Sequence, residues 1–214
     1  PDYPNKTVAE IVTIHHLLTH TSGMGDFMNE NFRDSSANIK TVKDFFPFFV
    51  DEPLSFEPGQ KWDYSNAGYI VLGAIIERVS GQSYYEYVRE HIFKPAGMKN
   101  TAFYDSDSNS PNIAIGYTSF DGTGRRQPGA RKENRVLPLA KHRGGPAGGG
   151  YSTVEDLLRF ANALYNHKLL NTKYTDLVMT GKVDTGDAQA GSSKYGYGFF
   201  DEIFKSTRIV GHGG

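Results

Sequence analysis

The chain has 214 residues, 38% of them hydrophobic and 13% aromatic, enough to bury one sizeable core or two small ones. A charged fraction of 22% and a formal net charge of −1 exclude the long-range field that draws a protein to nucleic acid or an anionic membrane, and no apolar run approaches the roughly 20 residues that span a bilayer. The absence of cysteine removes disulfides, thiolate nucleophiles and thiolate metal sites, so any chemistry rests on oxygen or nitrogen.

Thr13 precedes Ile14, Leu17 and Leu18, an apolar stripe at helical spacing that stops at Thr21-Ser22-Gly23 and predicts a short helix. Residues 24 to 40 are polar and rich in Asn, Ser and Asp, which predicts a surface loop, and Val42 to Val50 resumes as a broken helix around Pro47. After the Glu57-Pro58-Gly59 turn, Ala67, Ile70, Val71, Ala74, Ile75 and Val79 recur at helical period, with Leu72 and Ile76 filling in. A helix apolar almost all round is expected to be central. Gly81 ends it; Ser83 and Glu86 form a capping box that opens the next helix, which runs to about Phe93, and Pro95-Ala96-Gly97 closes the hairpin.

Residues 101 to 140 lose the helical period and alternate short β-prone runs such as Ile115-Gly116-Tyr117-Thr118 with Asp-Gly and Pro-Gly turns. Ser152 or Thr153 then caps an amphipathic helix with Val154, Leu157, Leu158, Ala161 and Leu164 on one face. Tyr195 to Phe200 and Thr207 to Val210 read as adjacent antiparallel strands. Helices followed by late strands imply an α+β layout, without internal repeats.

Three places invite a chemical reading. Tyr64-Ser65-Asn66 sits at the start of the most buried helix, where unpaired amides and positive dipole favour a phenolate that could take a proton from a serine hydroxyl; Ser65 or Asn66 could equally be a plain N-cap. Gly211-His212-Gly213-Gly214 follows a strand, so that glycines would let a substrate lie against the strand edge while His212 supplies a proton or a hydrogen bond. The alternative there is a Gly-rich hairpin turn. Residues 144 to 150 are Gly-rich but lack both the phosphate-loop and the dinucleotide fingerprint, which leaves close backbone packing. His16 and His20 lie four apart, as two zinc ligands on a helix do, yet Leu17 stands where the zincin pattern needs Glu; no metal or other cofactor is expected, and a buried or capping His20 is the better reading.

In order and spacing, these segments resemble the serine β-lactamase and penicillin-binding-protein-like superfamily, above all its class C-like branch with D-amino-acid peptidases and esterases. The resemblance rests on Leu17-Leu18-Thr19-His20-Thr21-Ser22-Gly23, Phe56-Glu57-Pro58-Gly59, Tyr64-Ser65-Asn66, Gly68-Tyr69, Pro95-Ala96-Gly97-Met98, Gly148-Gly149-Gly150-Tyr151-Ser152-Thr153 and His212-Gly213-Gly214, and it spans nearly the whole chain. It implies a helical lobe packed on an antiparallel sheet, and a site built from a Ser-x-x-Lys nucleophile, a Tyr-x-Asn element and a Lys/His-x-Gly strand. Tyr64 would then be the general base, Asn66 a ligand of the substrate amide or carbonyl, and His212 a contact for the substrate carboxylate or the tyrosine hydroxyl. Gly213 and Gly214 would line the bound substrate, a β-lactam, a D-amino-acid peptide or an ester.

The chain departs from that pattern at the nucleophile: no Ser or Thr has Lys three residues later. The expectation is a partial domain that begins past the nucleophile helix and stops within the Lys/His-x-Gly motif, with a helical lobe at about 7–100, a loop and strand excursion at about 101–150, and a helix with sheet strands at about 151–214. Sheet strands from both chain ends would be missing, leaving an edge through which copies could associate. On the resemblance alone the protein is expected in the periplasm or secreted, and the rival reading is a non-catalytic module that binds peptidoglycan-like peptides or regulates a partner.

Overall fold

A computed structural model of the chain describes residues 3–104, 112–119, 126–129, 131–133, 143–186 and 193–213. Local capping signals account for most of the helical lobe. Asn5 caps α1 (Lys6–Ile11), and Thr13 caps α2 (Ile14–Leu18) in a reciprocal pair: its hydroxyl accepts from the His16 amide at 3.2 Å while its own amide donates to His16 Nδ1 at 3.3 Å.

The stretch expected to be a surface loop is instead part of the core. It holds α3 (Glu30–Ser35), capped by Asn29, followed by a 3₁₀ turn over Ser36–Asn38. Met24, Phe27, Phe32 and Ile39 are buried, and the Phe27 ring packs edge-on against Phe32 and Phe45, each at 4.9 Å. These four apolar residues follow no helical or strand period, so only their tertiary partners reveal the burial. The broken helix around Pro47 forms as a 3₁₀ run over Val42–Phe48 that adds Val42 and Phe45 to the same core.

Helix α4 (Asn66–Ser80) is central, with Ala67 and Ile70 fully buried, although Val79 near its end faces solvent. Ser65 caps it, and Gly81 terminates it in the left-handed conformation at φ 71°. The Ser83–Glu86 capping box opens α5 (Tyr84–Val88), which continues through a π-helical turn (Arg89–Phe93) into α6 (Lys94–Ala96). Within the excursion, β1 (Tyr117–Thr118) pairs with β2 (Lys132–Glu133); Ile115 and Gly116 stay outside the strand, and residues 105–111, 120–125, 130 and 134–142 of that segment lie outside the described ones.

Thr153 caps α7 (Val154–Tyr165), whose buried Asp156 accepts from the Asn100 amide at 2.6 Å and the Thr101 hydroxyl at 2.9 Å, tying the helix to the turn after α6. The apolar face expected to be buried is split. Leu164 is covered, whereas Val154, Leu157 and Leu158 are exposed. After α8 (Thr172–Met179) comes an antiparallel sheet of β3 (Val183–Asp184), β4 (Ser193–Tyr195), β5 (Phe200–Phe204) and β6 (Thr207–Gly211), in that order. The run from Tyr195 to Phe200 is not one strand: Tyr195 ends β4 and pairs with Phe200, which starts β5 across a turn closed by Gly196 N–H donating to the Phe199 carbonyl at 2.7 Å. Lobe and sheet meet where Trp62 approaches Tyr195 and Phe200, and where His15 Nδ1 lies 2.9 Å from the Tyr197 hydroxyl. Among the described residues no helix is long and apolar enough to cross a membrane.

Candidate active site

Tyr64 lies one residue before the cap of α4, outside the helical hydrogen-bond ladder, so its position depends on its neighbours. Ser65 is clamped three ways: its hydroxyl accepts from the Gly68 amide at 3.1 Å and donates to the Gly25 carbonyl at 2.8 Å, while its own amide donates to His20 Nδ1 at 3.0 Å. The His20 ring is sandwiched between Tyr64, at 4.1 Å between centroids, and Tyr69, at 4.8 Å. Because Nδ1 accepts a hydrogen bond from the Ser65 amide, the ring hydrogen sits on Nε2, which reaches the Tyr195 hydroxyl at 3.2 Å. Burial, reinforced by the nearby His212, lowers the His20 pKa to about 4 and keeps the ring neutral at physiological pH. Burial likewise pushes the Tyr69 phenol up to about 12 and the Tyr195 phenol higher still, so both stay protonated donors. The Tyr69 hydroxyl donates a hydrogen bond to the Leu18 carbonyl at 3.0 Å.

Tyr64 is half-exposed, and its ring centroid lies 6.1 Å from that of His212, just past β6. The His212 ring also packs near Phe200, at 5.4 Å, and Tyr195, at 6.0 Å, and its Nδ1 turns to the Gly213 carbonyl. Asn66, the first residue of α4, donates its side-chain amide to Asp26 at 2.6 Å. A carboxylate there can only accept, so the Asn66 nitrogen faces Asp26 and its oxygen is the group left for other partners. The expectation that the helix start favours a phenolate is overturned: burial first, then the Asp26 charge, raises the Tyr64 pKa above its ordinary value.

Of the residues expected at the site, Tyr64 and His212 come together, Asn66 follows on the same lead-in, and Gly213 is exposed beside His212; Gly214 lies outside the described residues. His16 and His20 do not form a metal pair, since one caps α2 and the other uses both ring nitrogens internally. His20 is buried, as its sequence reading has it. Its partnership with Tyr195 and the Asp26–Asn66 bond were not foreseen, because they join residues 175 and 40 positions apart. The Gly-rich segment serves close packing: Gly145 and Gly148 exchange backbone hydrogen bonds at 2.7 and 3.0 Å, and Tyr85 donates to the Gly144 carbonyl at 2.9 Å.

The family profile described as Beta-lactamase matches residues 3–214. Penicillin-binding protein 4* of Bacillus subtilis (strain 168) is 33% identical over 220 residues, covering 95% of this chain and 46% of the relative. Among solved structures, a penicillin-binding protein from Bacillus halodurans superposes with a TM-score of 0.78 at 34% identity over 94% of this chain and 62% of that one. The D-amino acid amidase from Ochrobactrum anthropi SV3, complexed with D-phenylalanine, does so with a TM-score of 0.75 at 27% identity over 99% and 60%. The chain thus spans about half the length of the curated relatives it matches. With the profile matching nearly the whole chain and the fold shared with a solved relative, the chain belongs to the beta-lactamase family.

Proposed function

We propose that this chain carries the general base, the amide-recognition group and the substrate-lining strand of a serine hydrolase that cleaves an amide, lactam or ester through an acyl-enzyme. The observation that supports it is the convergence of a half-exposed Tyr64 phenol on the exposed His212 imidazole, 6.1 Å between ring centroids, with Asn66 held two residues on. The serine and its lysine would come from a segment outside these 214 residues, which span about half the length of the curated relatives they match.

A serine hydroxyl attacks the substrate carbonyl carbon while its proton passes to the Tyr64 oxygen, and backbone amides hold the oxyanion. Collapse expels the amine or alcohol, which leaves with that proton. Water then attacks the acyl-serine, again giving a proton to Tyr64, and the acid departs as serine is restored. A phenol raised by burial and by Asp26 is protonated at neutral pH, so Tyr64 becomes a base only beside a cation. The lysine of the family's Ser-x-x-Lys element is that cation. Asn66, its nitrogen committed to Asp26, would accept from a substrate amide or that lysine. His212 in place of the family's lysine leans the specificity toward D-amino-acid amides or esters rather than β-lactams. Action on cell-wall material outside the cytoplasm would follow.

The test is labelling of the full-length protein with a fluorophosphonate or a fluorescent penicillin, with loss of the label expected in Tyr64→Phe. Full labelling of that variant removes Tyr64 from the base role. The lack of a Ser-x-x-Lys element within these residues favours one rival, a peptide-binding module without turnover. A coding region that supplies neither Ser nor Lys upstream decides for the rival.

A further inference from the structure

We propose that His20 is a positioning residue that sets the Tyr64 phenol against His212, acting as the joint between the helical lobe and the sheet; this rests on the reading of Tyr64 as the base. On the lobe side, the imidazole stacks on the Tyr64 ring and accepts from the amide of the next residue, Ser65, so it constrains both the side chain and the backbone of the base. On the sheet side, Nε2–H binds the Tyr195 hydroxyl. Tyr195 pairs across the sheet with Phe200, and Phe200 pairs with Gly211, the residue before His212. One cross-strand row therefore runs from the His20 hydrogen bond to the residue that carries the second ring of the site. A displacement of His20 moves Tyr64 directly and His212 through that row.

Two further observations agree. His20 holds φ at 56° as the residue after the α2 cap, in a helix stop closed by the Thr21 amide donating to the His16 carbonyl at 2.9 Å, which fixes the backbone beneath the ring. The joint also works in one protonation state alone, because a hydrogen on Nδ1 would face the Ser65 amide donor to donor. The titratable groups around the ring are Tyr64 and Tyr69 on the lobe, Tyr195 on β4 and His212 after β6.

The experiment uses the full-length protein and a p-nitrophenyl ester, with kcat and KM measured beside thermal unfolding for four variants. His20→Phe keeps a ring and loses both hydrogen bonds. His20→Asn keeps an acceptor for the Ser65 amide and tolerates the left-handed backbone. Tyr195→Phe removes the sheet anchor, and Tyr64→Phe tests the base itself. In folded His20→Phe, kcat should fall about tenfold to a hundredfold with KM within about threefold, as a displaced catalytic group requires. Partial recovery of kcat is expected in His20→Asn at a temperature well below the unfolding midpoint of both variants, where a loss of stability alone would leave the kcat of the folded protein unchanged.

A His20→Phe kcat within about threefold of the parent, beside an inactive Tyr64→Phe, overturns the proposal and leaves the base assignment standing. An active Tyr64→Phe overturns the base assignment instead. Independently of activity, ¹⁵N histidine spectra should show His20 as the neutral Nε2–H tautomer at pH 5. A His20 protonated on both nitrogens at that pH in the folded protein refutes the joint. Should His20→Phe fail to fold, His20→Asn and Tyr195→Phe carry the kinetic test with the same criteria.

Discussion

The His20 imidazole titrates near 6.5 in an unfolded chain and near 4 in the folded one, chiefly because burial disfavours its charged form. Between those values the unfolded state binds a proton that the folded state refuses, so folding weakens as pH falls through the window and the loss levels off below about pH 4. The gap corresponds to about 3 kcal/mol, and His16, lowered by its own partial burial and by His15, acts in the same direction. Carboxylates held low by hydrogen bonds, such as Asp201 beside Arg208 and Glu90 beside Lys94, lose their contribution around and below their ordinary values of 3.8 and 4.5, in the same direction, so the histidine part is isolated by comparing the parent with His20→Asn. The urea midpoint of the parent should therefore drop between pH 7 and pH 4.5, and His20→Asn should flatten that slope. A parent midpoint constant over the range refutes the burial of a neutral ring. At this scale the approach of Tyr64 to His212 was legible because each sits in a short motif, whereas the state of the phenol was not. The dipole of α4 is a local inference, while the forces that raise the pKa come from His20 packing and from Asp26, 38 positions earlier in the chain.

Elements were legible wherever their ends are marked by residues with a specific backbone role. Gly81 and Gly97 stop helices in the left-handed region, and Ser83 with Glu86 starts one, with the hydroxyl donating to the carboxylate at 2.8 Å and accepting from the Glu86 amide at 3.3 Å. The core under residues 24 to 40 was not legible, because aromatics at irregular spacing declare themselves only through partners such as Phe45. Contact between elements can be equally exacting. A Cβ added at Gly73, in the middle of α4, would overlap Cβ and Cγ of Pro146 in the Gly-rich turn. Ala is the better helix former by about 1 kcal/mol, so an open position would gain from Gly73→Ala, but here the overlap is deep, and overpacking of about 3 kcal/mol should leave a net loss of about 2 kcal/mol. Gly73→Ala combined with Pro146→Gly should recover part of that loss, as the clash demands of a coupled pair. Chemical denaturation of the two variants checks it, and a Gly73→Ala protein as stable as the parent would show that the helix and the turn do not touch.

Across the whole molecule, apolar surface is left where a domain of this size would cover it. Val154 is 80% exposed, and Leu157, Leu158, Ile203, Phe204 and Ile209 are exposed with it, while β6 ends the sheet among the described residues with Ile209 on that terminal strand. An apolar helix face was rightly read from the period of α7; what local pattern cannot say is which segment is present to cover it. An open β6 edge is available to a second copy, since unpaired amides and carbonyls template any extended chain. The isolated 214-residue chain should therefore associate as its concentration rises, bind a hydrophobic dye, and exchange the outward amides of β6 rapidly when dilute. Ile209→Lys places a charge on that edge and should weaken the association without altering the cap and core interactions of the lobe, which lie elsewhere. Light scattering with hydrogen exchange decides the point: a species that stays monomeric over a wide concentration range with β6 fully protected would mean that the edge is already covered from within the chain.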